Sequence, residues 1–249
     1  MKIAIYIPAY NAAGTLPGVL DRIPRSVRDE VEEIIVVDNA STDNTGEVVL
    51  QYRHDSGLSK ISLLTNAGNL GYGGSQKRAY RYAIEKGYQA VVMLHSDGQY
   101  DPQRIDYILE PIVKGEADAV SGSRLAGDPV AGGMPLNRYL GNKMLTALTN
   151  QVLGWSLSEY HSGYRAYRCD ALAQVPFERC ADYYHFDVDI FIQFSIKGLK
   201  VVERPIDTHY GSEECHQNTW RTGISILKLL SDYLLHRSGL RRSYRYDFT

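Results

Sequence analysis

The chain has little of what several common protein classes require. Its 249 residues include three cysteines, Cys169, Cys180 and Cys215, with no CxxC spacing. Neither a disulfide framework nor a thiolate zinc site is expected, and a reducing, cytoplasmic setting follows. Positive charge is not in excess: Lys plus Arg total 27 and Asp plus Glu total 29, a net charge of −2. A generic nucleic-acid binder, whose affinity rests on such an excess, is excluded. No run approaches the roughly 20 apolar residues that cross a bilayer. The greasiest segment, residues 224–235, is interrupted by Lys228 and Asp232. The apolar run at 3–7 is too short for a signal-peptide core and no small-residue cleavage site follows it. No GxGxxG follows that run and no GxxxxGK[ST] occurs, which disfavours Rossmann and P-loop nucleotide sites.

What is present is globular. Hydrophobic residues make up 44% and charged residues 22%, values that support a full core. Short apolar runs at 3–7, 34–37, 61–64, 90–94 and 119–120 read as buried strands. Helical segments at 16–23, 45–52, 75–86 and 102–114 separate them. This alternation predicts an α/β fold, a mostly parallel sheet sandwiched by helices, with ligands beyond the carboxyl ends of the strands. Residues 125–137 read as a Gly/Pro-rich loop, 138–153 and 187–197 as helices, 200–205 as a strand and 222–237 as a last helix. A main domain at 1–221, with an elaboration in its second half, is expected to carry a C-terminal helix and basic tail at 222–249.

The strand ends hold the chemistry. Strand one runs into Pro8-Ala9-Tyr10-Asn11 and strand two into Asp38-Asn39-Ala40-Ser41-Thr42-Asp43. Asp38 can accept hydrogen bonds from a base or ribose, while Thr42 and Asp43 suit a helix cap. Strand four ends in His95-Ser96-Asp97-Gly98-Gln99. Asp97 and Gln99 could converge on one hard divalent cation, Mg²⁺ or Mn²⁺, if diphosphate oxygens and water complete the shell. An Asx-turn that merely ends the strand is the competing reading. Gly71-Tyr72-Gly73-Gly74-Ser75-Gln76-Lys77 opens a helix; it either brings backbone amides to a phosphate or makes a tight turn.

Taken in order, Ile7-Pro8-Ala9-Tyr10-Asn11, Val36-Val37-Asp38-Asn39-Ala40-Ser41, Asn66-Ala67-Gly68-Asn69-Leu70-Gly71 and His95-Ser96-Asp97-Gly98-Gln99 resemble family 2 glycosyltransferases of GT-A fold. Ser121-Gly122-Ser123-Arg124 and Ser162-Gly163-Tyr164-Arg165 narrow the resemblance to the dolichyl-phosphate mannose synthase and polyprenyl-phosphate glycosyltransferase branch. The resemblance implies metal-dependent, inverting sugar transfer from a nucleotide-diphosphate sugar, with a polyprenyl phosphate as acceptor. It places Pro8, Ala9, Tyr10, Asn11, Asp38 and Ser96 around the donor. Asp97, with Gln99 and His95, falls at the metal. Arg124 faces the donor phosphates, with Lys77 adding positive charge. Arg138, Ser162, Arg165 and His209 lie on the acceptor side.

Two departures stand out. His95 occupies the first position of the family's DxD motif, and a neutral imidazole brings no negative charge to a cation. After residue 205 the branch's arginine and Gly-x-Ser-Lys are replaced by His209-Tyr210-Gly211-Ser212-Glu213-Glu214. A hydroxyl acceptor, on a sugar or small metabolite, is therefore an alternative, with Asp187 or Asp189 as its general base. An inactive nucleotide-sugar-binding subunit is another. A pyrophosphorylase is disfavoured by Pro8-Ala9-Tyr10-Asn11. The last helix, with Ile224, Leu227, Leu230 and Leu234 on one stripe and Arg237, Arg241, Arg242 and Arg245 behind it, could rest on an anionic membrane surface. It could equally pack on its own domain or on a second copy of the chain.

Overall fold

The computed structural model describes residues 1–127, 129, 133–207 and 219–248. His209 and Cys215 lie outside the described residues. In chain order the main elements are β1 (Ile3–Ala9), α1 (Leu16–Arg22), α2 (Arg25–Glu30), β2 (Glu33–Asp38), α3 (Thr45–Ser56), β3 (Ile61–Thr65), α4 (Gly71–Glu85) and β4 (Ala90–Met93). There follow α5 (Ile105–Val113), β5 (Ala119–Ser123), α6 (Leu136–Leu153), β6 (Arg165–Arg168), α7 (Cys169–Leu172), α8 (Phe186–Lys197), β7 (Val201–Pro205) and α9 (Thr219–Arg237).

The described strands form one sheet in the order β3-β2-β1-β4-β6-β5-β7. Its neighbours pair in parallel except at β6, which runs antiparallel to both β4 and β5. Strands buried on both faces lack polar alternation, which is why β1, β2 and β4 read as apolar runs. Their residues divide between two cores. Ala4, Tyr6, Ile35, Val37, Val91 and Met93 face α4, α8 and α9. Ile5, Ile7, Ile34, Val36, Ala90 and Val92 face α1 and α5.

β6 was not expected as a strand. Its four residues include two arginines, so it has no apolar run. It stands inside the sheet because Arg165 is fully buried with partners for its guanidinium. β5 also extends past its apolar pair into Ser121-Gly122-Ser123, where backbone pairing, not side-chain burial pattern, carries the strand.

The last helix and its tail share the main core. Ile226, Leu229, Leu230 and Tyr233 are buried there, as is Tyr246 beyond the helix. The tail's arginines are largely spoken for. Arg237 donates to the Val152 carbonyl at 3.1 Å, Arg241 stands 3.6 Å from Asp232, and Arg245 pairs with buried Asp189. A free basic tail is thus not what the fold presents.

The glycine-rich opening of α4 is a docking surface for backbone. The amides of Gly73 and Gly74 donate to the Asp182 carbonyl, at 2.7 and 3.2 Å, and that of Gly71 to Asn69 Oδ1 at 2.9 Å. A phosphate would find these donors occupied. A Cβ on Gly73 would lie 2.3 Å from the Ala181 carbonyl oxygen and 2.7 Å from Phe186 Cβ. Gly73→Ala should therefore lower the thermal midpoint, by an overpacking cost of about 1–3 kcal/mol. Gly14→Ala, where no atom lies within 4 Å of the new methyl, should leave it nearly unchanged. Thermal melts of the two variants make the comparison, and equal midpoints would refute the close packing.

Candidate active site

The parallel register lines up the strand ends. Ala9 stands opposite Asp38, and Asp38 opposite Thr65. The segments leaving β1, β2 and β3 consequently emerge side by side. Asn11 and Ala40, just past β1 and β2, have φ of 51° and 60° and are the described non-glycine residues with positive φ. Such backbone costs about 1–3 kcal/mol each and gathers at functional sites. Here the two turns are stitched together: the Asn11 amide donates to Ser41 Oγ at 3.0 Å, and the Thr42 amide to Asn11 Oδ1 at 2.8 Å. Asp38 Oδ1 accepts from the Ser41 amide and hydroxyl, at 3.0 and 2.5 Å. Its Oδ2 has no hydrogen-bond partner among the described residues. Pro8 and Ala9 support this cradle from β1, and Tyr10 stands exposed at its lip.

Beside it, Asn39 Oδ1 accepts from Asn66 Nδ2 at 2.8 Å and from the Leu70 amide at 2.9 Å. This fixes the path from β3 into α4. Asp43 takes the structural role open to it: its carboxylate accepts from the Thr45 amide at 3.0 Å and from Ala13 at 3.2 Å.

The corner beyond β4 holds His95, Ser96, Asp97 and Gln99, all half-buried. Asp97 Oδ1 accepts from the Gln99 amide at 3.0 Å, the expected Asx-turn. That bond orients the carboxylate without consuming it: among the described residues Oδ2 makes no hydrogen bond, and His95 Nδ1 stands 4.0 Å from it. A carboxylate oxygen, a carboxamide and an imidazole nitrogen are compatible with Mg²⁺ or Mn²⁺. Among the described residues no three His, Cys, Asp or Glu side chains converge to hold a metal by themselves. A cation bound here would need ligand oxygens to complete its shell.

His95 is packed between rings, with Tyr100 at 5.0 Å and Tyr72 at 5.8 Å between centroids. Burial lowers its pKa, against the opposing pull of Asp97 and Asp187. It is accordingly neutral at pH 7. Gly163 has to be glycine for this packing, because a Cβ there would fall 2.2 Å from His95 Nε2.

Behind His95 runs a polar chain. Tyr72 Oη is 3.4 Å from His95 Nε2 and donates to Asp187 Oδ2 at 3.2 Å. Gln76 Nε2 donates to Asp187 Oδ1 at 3.3 Å. Burial raises the Asp187 pKa, and Arg165, 3.9 Å away, counteracts it. Tyr184 stacks on Tyr72 with centroids 5.1 Å apart. No local motif marks this tyrosine wall; only the chain's 19 tyrosines hint at it.

Several expected site residues are engaged elsewhere. Lys77 Nζ donates to Asp182 Oδ1 at 2.6 Å and to the Cys180 carbonyl, so it clamps a loop and does not reach toward donor phosphates. Asp189 is fully buried and accepts from Arg245, from Tyr246 Oη at 3.0 Å and from the Ala181 amide at 2.8 Å. It cannot serve as a base with its oxygens so committed. Arg165 is fully buried, donating to the carbonyls of Ser162 at 2.8 Å, Asp187 at 2.8 Å and Tyr160; it staples the acceptor-side loop to α8 without facing an acceptor. Ser162 is buried against Tyr100 Oη at 3.5 Å.

Arg124 pairs with Glu159, which is fully buried; its backbone amide donates at 2.8 Å and its Nε at 2.9 Å. Burial works against the Glu159 carboxylate, but Arg124 more than compensates and holds its pKa below the ordinary 4.5. Arg124, Arg138, Asn142 and His161 line a cleft closed on its far side by Gly223 and Ile226 of α9. Burial, with the neighbouring arginines, lowers the His161 pKa to about 4 against the pull of Glu159. The imidazole is neutral at pH 7, and its buried Nε2 has no hydrogen-bond partner among the described residues.

A strand-end cradle at Asp38, a carboxylate corner at Asp97 and an arginine-lined cleft at Arg124 and Arg138 are the polar features beyond the strands. Residues 4–175 match the profile of glycosyl transferase family 2. The chain belongs to that family. This family 2 glycosyltransferase is 32% identical over 213 residues to an undecaprenyl-phosphate mannosyltransferase of Micrococcus luteus, covering 83% of each chain. It is 25% identical to a polyprenol monophosphomannose synthase of Mycolicibacterium smegmatis, over 82% of this chain and 76% of that one. Among solved structures, a mannosyl-3-phosphoglycerate synthase of Rubrobacter xylanophilus superposes with a TM-score of 0.74 at 17% identity, covering 100% of this chain and 78% of its own. The glucosyl-3-phosphoglycerate synthase of Mycobacterium tuberculosis, solved with Mn²⁺, UDP and its product, gives 0.68 at 18% identity, covering 97% and 81%. The fold is GT-A, and the enzyme is a glycosyltransferase using a nucleotide-sugar donor.

The Arg124–Glu159 pair gives a pH-dependent prediction. A folded pKa below 4.5 means the carboxylate's contribution is complete above that pH and is lost as the pH falls further. Glu159→Gln should reduce unfolding free energy at pH 7 by about 3–5 kcal/mol, because it strands a buried guanidinium. The gap to wild type should narrow on acidification below pH 4.5 in denaturant titrations. A gap that stays constant with pH would contradict the pairing.

Proposed function

We propose that the enzyme transfers a sugar, with inversion and with a divalent metal, from a nucleotide-diphosphate sugar to a polyprenyl phosphate at a membrane surface. The observation that carries the acceptor choice is the cleft between α6 and α9. It joins the Arg124 and Arg138 side chains to the unpartnered His161 Nε2, and apolar residues run along both flanking helices. Leu136, Leu140, Met144 and Leu148 are exposed at four-residue intervals on α6, and Trp220, Ile224 and Leu227 are exposed on α9. A phosphate head and a hydrocarbon tail need that combination. The named relatives that act on undecaprenyl and polyprenol phosphates support the same reading. No described helix is long and apolar enough to cross a membrane.

In this reading Asp38 and the turns around it hold the nucleoside. Asp97 and Gln99, with His95 beside them, would hold Mg²⁺ or Mn²⁺. The cation supplies electrostatic stabilisation of the leaving diphosphate. The acceptor oxygen attacks the anomeric carbon on the face opposite the leaving group. The bond from that carbon to the nucleoside diphosphate breaks, and its electrons stay on the departing phosphate oxygen. A phosphate acceptor is already ionised, so no base must remove a proton. Asp187 then acts through Tyr72, fixing the ring that abuts His95.

A hydroxyl acceptor is the second reading, favoured by Asp187 itself. A buried carboxylate with a raised pKa suits a general base. Asp187→Asn separates the two: transfer to a lipid phosphate should survive, and transfer to a hydroxyl should collapse.

The direct test incubates labelled GDP-mannose, UDP-glucose or UDP-N-acetylglucosamine with undecaprenyl phosphate in detergent and Mn²⁺. The expected product is a lipid-soluble sugar released by mild acid; an acid-stable glycoside would instead establish the hydroxyl reading. Asp97→Ala should lower turnover by about 10²–10³-fold, the scale for losing one group that stabilises developing charge. Arg138→Ala should raise the KM for the lipid roughly 10- to 100-fold, matching a charge-assisted hydrogen bond of about 1.5–3 kcal/mol. Full turnover by Asp97→Ala would overturn the metal assignment.

A further inference from the structure

The segment after α9 packs against α8 and Arg179. Its Arg245 and Tyr246 both bind Asp189, and its backbone is gripped in turn. Gln193 Nε2 donates to the Arg245 carbonyl at 3.1 Å, and Arg179 donates to those of Tyr244 and Asp247, at 3.0 and 3.2 Å. Tyr246 packs edge-on against Tyr233 at 5.4 Å. A buried ion pair adds little net stability over an apolar replacement. What Arg245 and Asp189 can add is a fixed geometry.

That geometry leads to the reaction corner in short steps. Asp189 Oδ2 accepts from the Ala181 amide, and the Asp182 carbonyl accepts from Gly73 and Gly74. Tyr72 lies in that first turn of α4, touching Asp187 and His95. Slack is removed by the glycines: a Cβ on Gly71 would meet the Asp182 carbonyl oxygen at 2.4 Å, as one on Gly73 would meet that of Ala181. Lys77 closes the same loop from the other side.

We propose that residues 243–248 are a clasp in which Arg245 and Tyr246 are positioning residues. By holding Asp189 they set the 180–186 turn, and through it the Tyr72 ring against His95. The clasp deepens the transferase reading and rests on it for its catalytic consequence.

The test compares wild type with Arg245→Ala, Arg245→Lys, Tyr246→Phe and the doubly neutral Asp189→Asn/Arg245→Gln. The last guards against unfolding from a stranded charge. Hydrogen–deuterium exchange is read at 72–74 and 180–187, with 3–9 and 33–38 as internal controls. Turnover is measured with the donor and acceptor that support wild-type transfer, and UDP–Mn²⁺ affinity by calorimetry. Arg245→Ala and the double variant should exchange faster at 72–74 and 180–187 while the control strands stay protected. Their kcat should fall on the order of 10- to 100-fold, as for a misplaced catalytic group, with donor KM and UDP–Mn²⁺ affinity unchanged. Arg245→Lys should recover most of the turnover. A lower melting temperature with unchanged kcat, or unchanged exchange at 72–74, would overturn the clasp. Absence of wild-type transfer would count against the transferase reading, and the exchange data would still decide whether the clasp holds the turn.

Discussion

The site depends on parallel strand register. Because Ala9, Asp38 and Thr65 stand in one row, the chain leaves β1, β2 and β3 at one level and must turn there. The turns leave backbone and carboxylate groups facing a common space, and the left-handed conformations of Asn11 and Ala40 are the strain this requires. β4 adds the acidic corner beside them. Slipping one strand by a single residue would reverse its side chains and exchange those that face the two cores.

Around this edge the protein repeats one device. Glu159, Asp187 and Asp189 are buried carboxylates, each set against an arginine: Arg124, Arg165 and Arg245. Desolvation makes each pair costly, so none is an economical source of stability. Each joins segments distant in sequence. Arg124 ties the end of β5 to the loop before β6, Arg165 ties that loop to α8, and Arg245 ties α8 to the tail. The cleft proposed to receive the acceptor is thus walled by elements whose mutual positions are fixed by charge and hydrogen bonds. Among the described residues, the buried His161 Nε2 beside these pairs has no hydrogen-bond partner.

Much of this frame was legible in the residues. Apolar runs marked β1, β2 and β4 because both faces of those strands are buried. Asp38 and Asp97 stand out as carboxylates that end such runs. What could not be read was pairing across long separations. Nothing in Arg165-Ala166-Tyr167-Arg168 announces a strand, since its burial depends on Tyr160, Ser162 and Asp187. Lys77 and the glycines before it fit a phosphate site as well as a tight turn. Their partners are at Cys180 to Asp182, a hundred residues on, and only the folded chain shows them. The same holds for Asp189, whose partners Arg245 and Tyr246 lie in a segment that reads as a solvated basic tail.

The account turns on Asp97 as the point where a cation meets the donor diphosphate. Anomalous scattering from Mn²⁺ in crystals grown with UDP or GDP tests this most directly. One peak between the diphosphate and Asp97 Oδ2, within about 2–2.5 Å of the carboxylate as metal–oxygen bonds require, is the predicted result. A diphosphate seated away from the β4 corner, or a manganese peak without Asp97 among its ligands, would contradict it.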